Sequence, residues 1–149
     1  MQQLPLVLTL DLPEATPSNN TIKAMHFHTY KRVRKGWKAL VQGAMQSGNT
    51  GPLVPLERCF LSIERYSSGG GLDWDNAYGG LKPLLDCLVV PSTKNPDGLG
   101  LIRDDNPRDM PYAPAFRQLK AKPGHGRTVV KIYDASGLNA DLMPWPGMQ

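Results

Sequence analysis

Residues 71–88 read GLDWDNAYGGLKPLLDCL, and where their helix begins decides how the rest of the chain is arranged. Leucines at 81, 84, 85 and 88 form a one-sided helical stripe. Pro83 is tolerated only in a first turn, because it lacks an N–H and its ring clashes with the preceding turn. A helix starting at Gly79 or Gly80 is therefore expected, with Asp73 and Asp75 on its approach. Were the helix to run back to Asp75, then Asp75, Gly79, Lys82 and Asp86 would share a face. Upstream, the glycines at 69–71 release the chain from ERCFLSIERYS (57–67), whose alternation predicts a strand.

Working outward, LPLVLTL (4–10) is short, β-rich and bounded by Pro5 and Pro13, which predicts an opening strand near a sheet edge. DLPEATPSNN (11–20) has loop chemistry. From His26 to Gln46 the apolar positions Phe27, Tyr30, Val33, Trp37, Leu40, Val41, Ala44 and Met45 recur in steps of three and four. That spacing predicts an amphipathic helix, ended by SGNTGP, with Lys31, Arg34, Lys35 and Lys38 on its flanks and outer face. PSTKNPDGLG (91–100) reads as a loop and LIRDDNPRDMP (101–111) is short and ambiguous. FRQLKAK, PGHG and RTVVKIYD predict a closing hairpin. The expected class is α+β: a small mixed β-sheet flanked by helices over residues 1–134. Residues 135–149 are a Gly/Pro-rich tail, either disordered or docked by Trp145.

At 149 residues the chain can bury roughly 68–70% of its unfolded surface as one domain. Cys59 and Cys87 match no zinc spacing and are expected as reduced core thiols. No apolar run nears the ~18 residues of a membrane span. MQQLPLVLTLDLP lacks a basic segment before its apolar run, so no secretory signal is read there and a cytoplasmic location is expected.

The formal charge is +4, and its distribution is more informative than its size. Between Glu14 and Glu57 there is no acidic residue, while Lys23, Lys31, Arg32, Arg34, Lys35 and Lys38 all lie there. The acids gather at Asp73, Asp75, Asp86, Asp97, Asp104, Asp105 and Asp109. A basic segment suits phosphate, which the acidic half would repel unless a cation neutralised it.

Asp73 and Asp75 carry two readings. In extended backbone, residues two apart project to one side, and two carboxylates held there invite a hard divalent cation, Mg²⁺ with Mn²⁺ as substitute. Asp104 or Asp105 could add a third carboxylate, and carboxylates beside a basic helix suit metal-assisted phosphodiester hydrolysis. The other reading is a helix N-cap for Asp73 or Asp75 and a turn for Asp104-Asp105-Asn106-Pro107. Lys82 either stabilises charge in such a site or pairs with Asp86 one turn on. His26 and His28 suggest no metal site, His125 belongs to a turn, and the glycines at 69–71 are followed by no Walker lysine.

PSNN (17–20), DWDN (73–76), LKPLLDCL (81–88) and LIRDDN (101–106), in that order, resemble the RusA family of Holliday-junction resolvases, from Leu4 to about Asp134. The resemblance implies a homodimeric, mixed α/β endodeoxyribonuclease of phage or prophage type, with one Mg²⁺-dependent site per subunit and no small-molecule cofactor. It implies that Asp73, Asp75 and Asp105 are metal ligands and that Lys82 is the catalytic lysine. Asn19 and Asn20 would sit near the rim of the site, in contact with DNA. In the family's bacterial form the lysine lies four residues past the second aspartate. Gly79 stands there in this chain, and Lys82 regains the place if the helix starts late. The implied substrate is a four-way junction, whose two-fold symmetry a C2 dimer would match, with Lys23, Lys31, Arg32, Arg34, Lys35 and Lys38 gripping its backbone. Two other functions fit the same residues: a branched-DNA-binding protein without nuclease activity, and a nuclease of flaps or forks.

Overall fold

The computed structural model describes residues 4–46 and 51–137. Residues 47–50, expected to end the long helix, and 138–149, with Trp145 and most of the expected tail, lie outside the described residues. The elements run β1 (Leu6–Leu12), α1 (Asn19–Lys23), α2 (Phe27–Gln46), β2 (Cys59–Ser67), α3 (Trp74–Gly79), α4 (Lys82–Leu88), β3 (Ala115–Lys120) and β4 (Arg127–Asp134). This is a mixed α+β fold with one four-stranded sheet in the order β1-β4-β2-β3. The opening strand does lie at an edge. α1 is an addition to the sequence reading: it begins within the stretch expected as loop, where the Ser18 side chain accepts from Thr21 N–H.

Strand alternation sends every second side chain to one face, and register pairing turns those side chains into rows. Leu10, Val130, Ile63 and Phe116 form one apolar row across all four strands. Leu8, Ile132 and Leu61 form the next. Trp37 and Val41 of α2 and Leu84, Cys87 and Leu88 of α4 are buried with them in one core. Cys59 and Cys87 are buried free thiols, as expected. A third row, Leu12–Thr128–Arg65–Gln118, begins apolar and turns polar toward β3.

The expected β3–β4 hairpin does not form. β3 pairs parallel with β2, and β4 lies antiparallel between β1 and β2. Composition explains the exchange. RTVVKIYD carries the β-branched run that a central strand needs, with Val129, Val130 and Ile132 all buried. AFRQLK buries only Phe116 and takes the edge. The parallel β2–β3 pair in turn requires a crossover, which α3, α4 and the segment after them supply.

Candidate functional site

The expected start at Gly79 or Gly80 is not what the chain adopts: helix α3 already begins at Trp74, and a second helix, α4, begins at Lys82. Asp73 caps α3, its Oδ1 accepting from Asn76 N–H at 3.2 Å, while Pro83 occupies the first turn of α4. Gly80 and Leu81 keep right-handed helical angles between the two helices. Asp75 and Gly79 thus belong to α3 and Lys82 and Asp86 to α4, on either side of a kink.

The PSNN segment docks on the kink. Asn20 N–H donates to Asn76 Oδ1 at 3.1 Å, so two of the quoted motifs are hydrogen-bonded to each other. A Cβ at Gly79 would stand 2.3 Å from Asn19 Cγ, and one at Gly80 would stand 1.7 Å from the Pro17 carbonyl oxygen. The glycine at position 79 is therefore a seat for Asn19, and the next lysine in the chain is Lys82.

Lys82 projects into solvent with its side chain 61% exposed, 3.4 Å from Asp86 Oδ2 and 5.6 Å from the Tyr30 ring centre. The Tyr30 hydroxyl donates to the same oxygen of Asp86 at 2.5 Å. Burial, then that hydrogen bond, hold Tyr30 protonated well above the usual phenol range.

Asp105 reaches this neighbourhood by a route that local spacing does not display. Leu101 and Ile102 donate backbone bonds to Leu88 O, and Arg103 N–H donates to Leu56 O. Ile102 is fully buried, so the segment is fixed against the end of α4 and delivers the aspartate doublet beside Asp86. An open cleft of about 480 Å³ is lined by Asp86, Asp104 and Asp105 together with Arg103 and Arg108. Asp104 Oδ1 accepts from Asp105 N–H at 2.8 Å, and that bond holds the Asp104 carboxyl below the ordinary range. Asp105 is pushed the other way, first by partial burial, then by its hydrogen bond to Asp104 and the charges of Asp104 and Asp86.

The expected metal ligands are thus divided. Asp73 and Asp75 stand at the start of α3, and Asp105 stands with Asp86 and Asp104. Among the described residues, no group of three or more His, Cys, Asp or Glu side chains is arranged to hold a metal ion. The donors at the cleft are all oxygen, and Asp105 gains its charge against the charges beside it. A hard cation would relieve that conflict, and Mg²⁺ commonly takes only one or two protein carboxylates. Asp86 and Asp105 are the cleft carboxylates that would hold such an ion. Asp86, counted from the sequence among the gathered acids and as the i,i+4 partner of Lys82, was not among the expected site residues, yet it lines this cleft.

The basic segment needs one correction. Arg34, expected on the flank or outer face of the helix, is buried, its side chain 6% exposed and its Nε 2.7 Å from Asp97 Oδ2. Lys35 and Lys38 lie 3.9 and 4.0 Å from Asp97 Oδ1. The 91–100 loop folds back and sets an acid among the bases, so Arg34 is a structural ion-pair partner and not an available DNA contact. Lys23 and Arg32 are exposed, and Lys31, half-buried, lies over the Phe27 ring at 4.3 Å.

No family model matches the chain, and no curated protein matches it. No helix among the described residues is long and apolar enough to cross a membrane.

Proposed function

We propose that the chain is a Mg²⁺-dependent endonuclease that cuts branched DNA as a two-fold dimer, resolving four-way junctions by paired nicks. The observation that carries this reading is the shared cleft: carboxylates for a hard cation and guanidinium groups for phosphate line one opening. Asp86 and Asp105 would hold the cation, with Asp73 and Asp75 as the further candidates that the family resemblance implies. A bound Mg²⁺ supplies an activated water and neutralises charge on phosphorus. Lys82, exposed and now paired with Asp86, would exchange that partner and bring an ammonium to the anionic phosphate. Arg103 and Arg108, now paired with Glu57 and Asp109, can exchange those partners for the DNA backbone. Asn19 and Asn20 lie beside the same helical stretch, and Lys23, Lys31 and Arg32 add sequence-independent phosphate contacts.

The test is a labelled four-way junction and a matched linear duplex, each with Mg²⁺ and with chelator. Symmetric, Mg²⁺-dependent nicking of the junction is expected, abolished in Asp105→Asn with junction binding kept. Full cleavage by that variant, or none by the wild type with any divalent ion, would sink the assignment. A second reading, junction binding without cleavage, draws on one observation: the Asp73 carboxylate already serves as a helix cap. Tight binding with no cutting would favour it.

A further inference from the structure

The third row of the sheet ends in a feature that the cleft at Asp105 does not use. Arg65 pairs in register with Gln118, and Ser67 pairs with Lys120. Residues two apart on a strand share a face, so these four side chains lie on the helix-bearing side of the sheet, where the apolar rows give out. They line a pocket of about 230 Å³ whose rim is the glycine run at 69–71. That volume is several times the ~30 Å³ share of a water molecule.

Arg65 is only 9% exposed. Its Nε donates to Thr16 O at 2.8 Å, and among the described residues it takes part in none of the ion pairs. Burial disfavours its charged form with no carboxylate to offset that effect. An arginine nevertheless stays protonated, so among the described residues the pocket holds a buried positive charge without a counter-ion. No carboxylate lines the pocket, and exposed Lys120 adds a second positive charge. The wall is fixed: Gln118 accepts from Leu72 N–H at 2.8 Å and donates to Leu72 O at 2.8 Å, which clamps the chain just ahead of Asp73. Ser67 Oγ accepts from Gly69 N–H, while the amides of Gly70 and Gly71 donate to no described residue. Two cations around one concavity, with the backbone of Gly70 and Gly71 at its rim, are the chemistry of an anion site.

We propose that this pocket binds a phosphate group, held by Arg65 and Lys120 against the amides of Gly70 and Gly71. That the phosphate is a diester of the DNA backbone rests on the function proposed above; free phosphate or a nucleotide would bring the same chemistry.

Titration of the full chain with inorganic phosphate, followed by calorimetry, tests the pocket directly. Binding is expected for the wild type, lost in Arg65→Met and weakened roughly tenfold in Lys120→Gln, as for one charge-assisted contact. Circular dichroism checks that Arg65→Met folds. If it does not, Lys120→Glu carries the test, because its site is exposed and a reversed charge there should abolish binding. Phosphate affinity unchanged in Lys120→Glu, or absent from the wild type, overturns the proposal. A four-way junction titrated against salt identifies the source: a backbone diester predicts that Lys120→Gln lowers the log–log slope by about one. An unchanged slope with phosphate binding lost keeps the pocket and removes DNA as its occupant. Phosphate binding without cleavage likewise keeps the pocket and removes the nuclease reading, whereas cleavage without phosphate binding does the reverse.

Discussion

Replacing Arg34 by alanine leaves Asp97 buried at 2% exposure with only two distant lysines for compensation. Breaking such a pair from one side costs about 3–5 kcal/mol, because an uncompensated charge stays out of water. The expected result is a fall in Tm of about 10 °C for a chain of this size, with Asp97→Ala alike and the double variant costing less than the sum. Urea denaturation of the three variants checks it, and a loss below 1 kcal/mol in either single variant would contradict the buried-pair account. The two thiols carry a pH prediction. Burial pushes Cys59 and Cys87 up to about 12, so at pH 8 each has on the order of a thousandfold less thiolate than an ordinary cysteine. Native protein should resist a thiol reagent that labels both sites once unfolded. Their folded values lie above the unfolded ones, so the folded state binds more protons in alkali. Stability should be held below about pH 9 and fall as pH rises toward 12. A denaturation midpoint flat from pH 8 to pH 11 would contradict that.

The junction of α3 and α4 is held by a notch that tolerates no side chain. Gly80→Ala drives a methyl into the Pro17 carbonyl, a backbone atom that can yield only if α1 shifts. The expected loss is about 1–3 kcal/mol, as for other overpacked sites. Gly79→Ala meets the Asn19 side chain instead and should cost less. Thermal melts rank the two, and equal stability of Gly80→Ala and wild type would refute the docked PSNN segment. The position of α4 was legible because proline and the leucine spacing constrain it locally, whereas α3, which lies where an approach to the helix was expected, was not. β1, α2 and β2 were legible too, where periodicity is strong. Strand pairing was not, because adjacency in sequence suggested a hairpin and only the burial needs of the whole sheet put β4 at its centre. The burial of Arg34 and the approach of Asp105 to Asp86 were equally hidden. Both depend on the segment after α4 folding back, and nothing in PSTKNPDGLG announces that its aspartate goes inside.

At the scale of the molecule, the positive charge divides into a tied part and an available part. On the function proposed above, alanine at Lys23, Lys31 or Arg32 should weaken binding to any branched or linear DNA alike, each lowering the salt slope by about one where it meets a phosphate. Arg34→Gln should change stability without changing that slope. Fluorescence anisotropy across a salt series separates the two effects, and a slope altered as much by Arg34→Gln as by Arg32→Ala would show that the division is wrong. The sheet order has a consequence for how the protein is made. β4 is the last strand among the described residues, yet it joins β1 to β2, and Leu12 meets Thr128 across a long stretch of sequence. Until residue 134 has left the ribosome, β1 has no partner, and β2 has only the parallel edge β3. The nascent chain must therefore carry two unsatisfied strand edges until β4 emerges, and the sheet closes only when that strand slides between them.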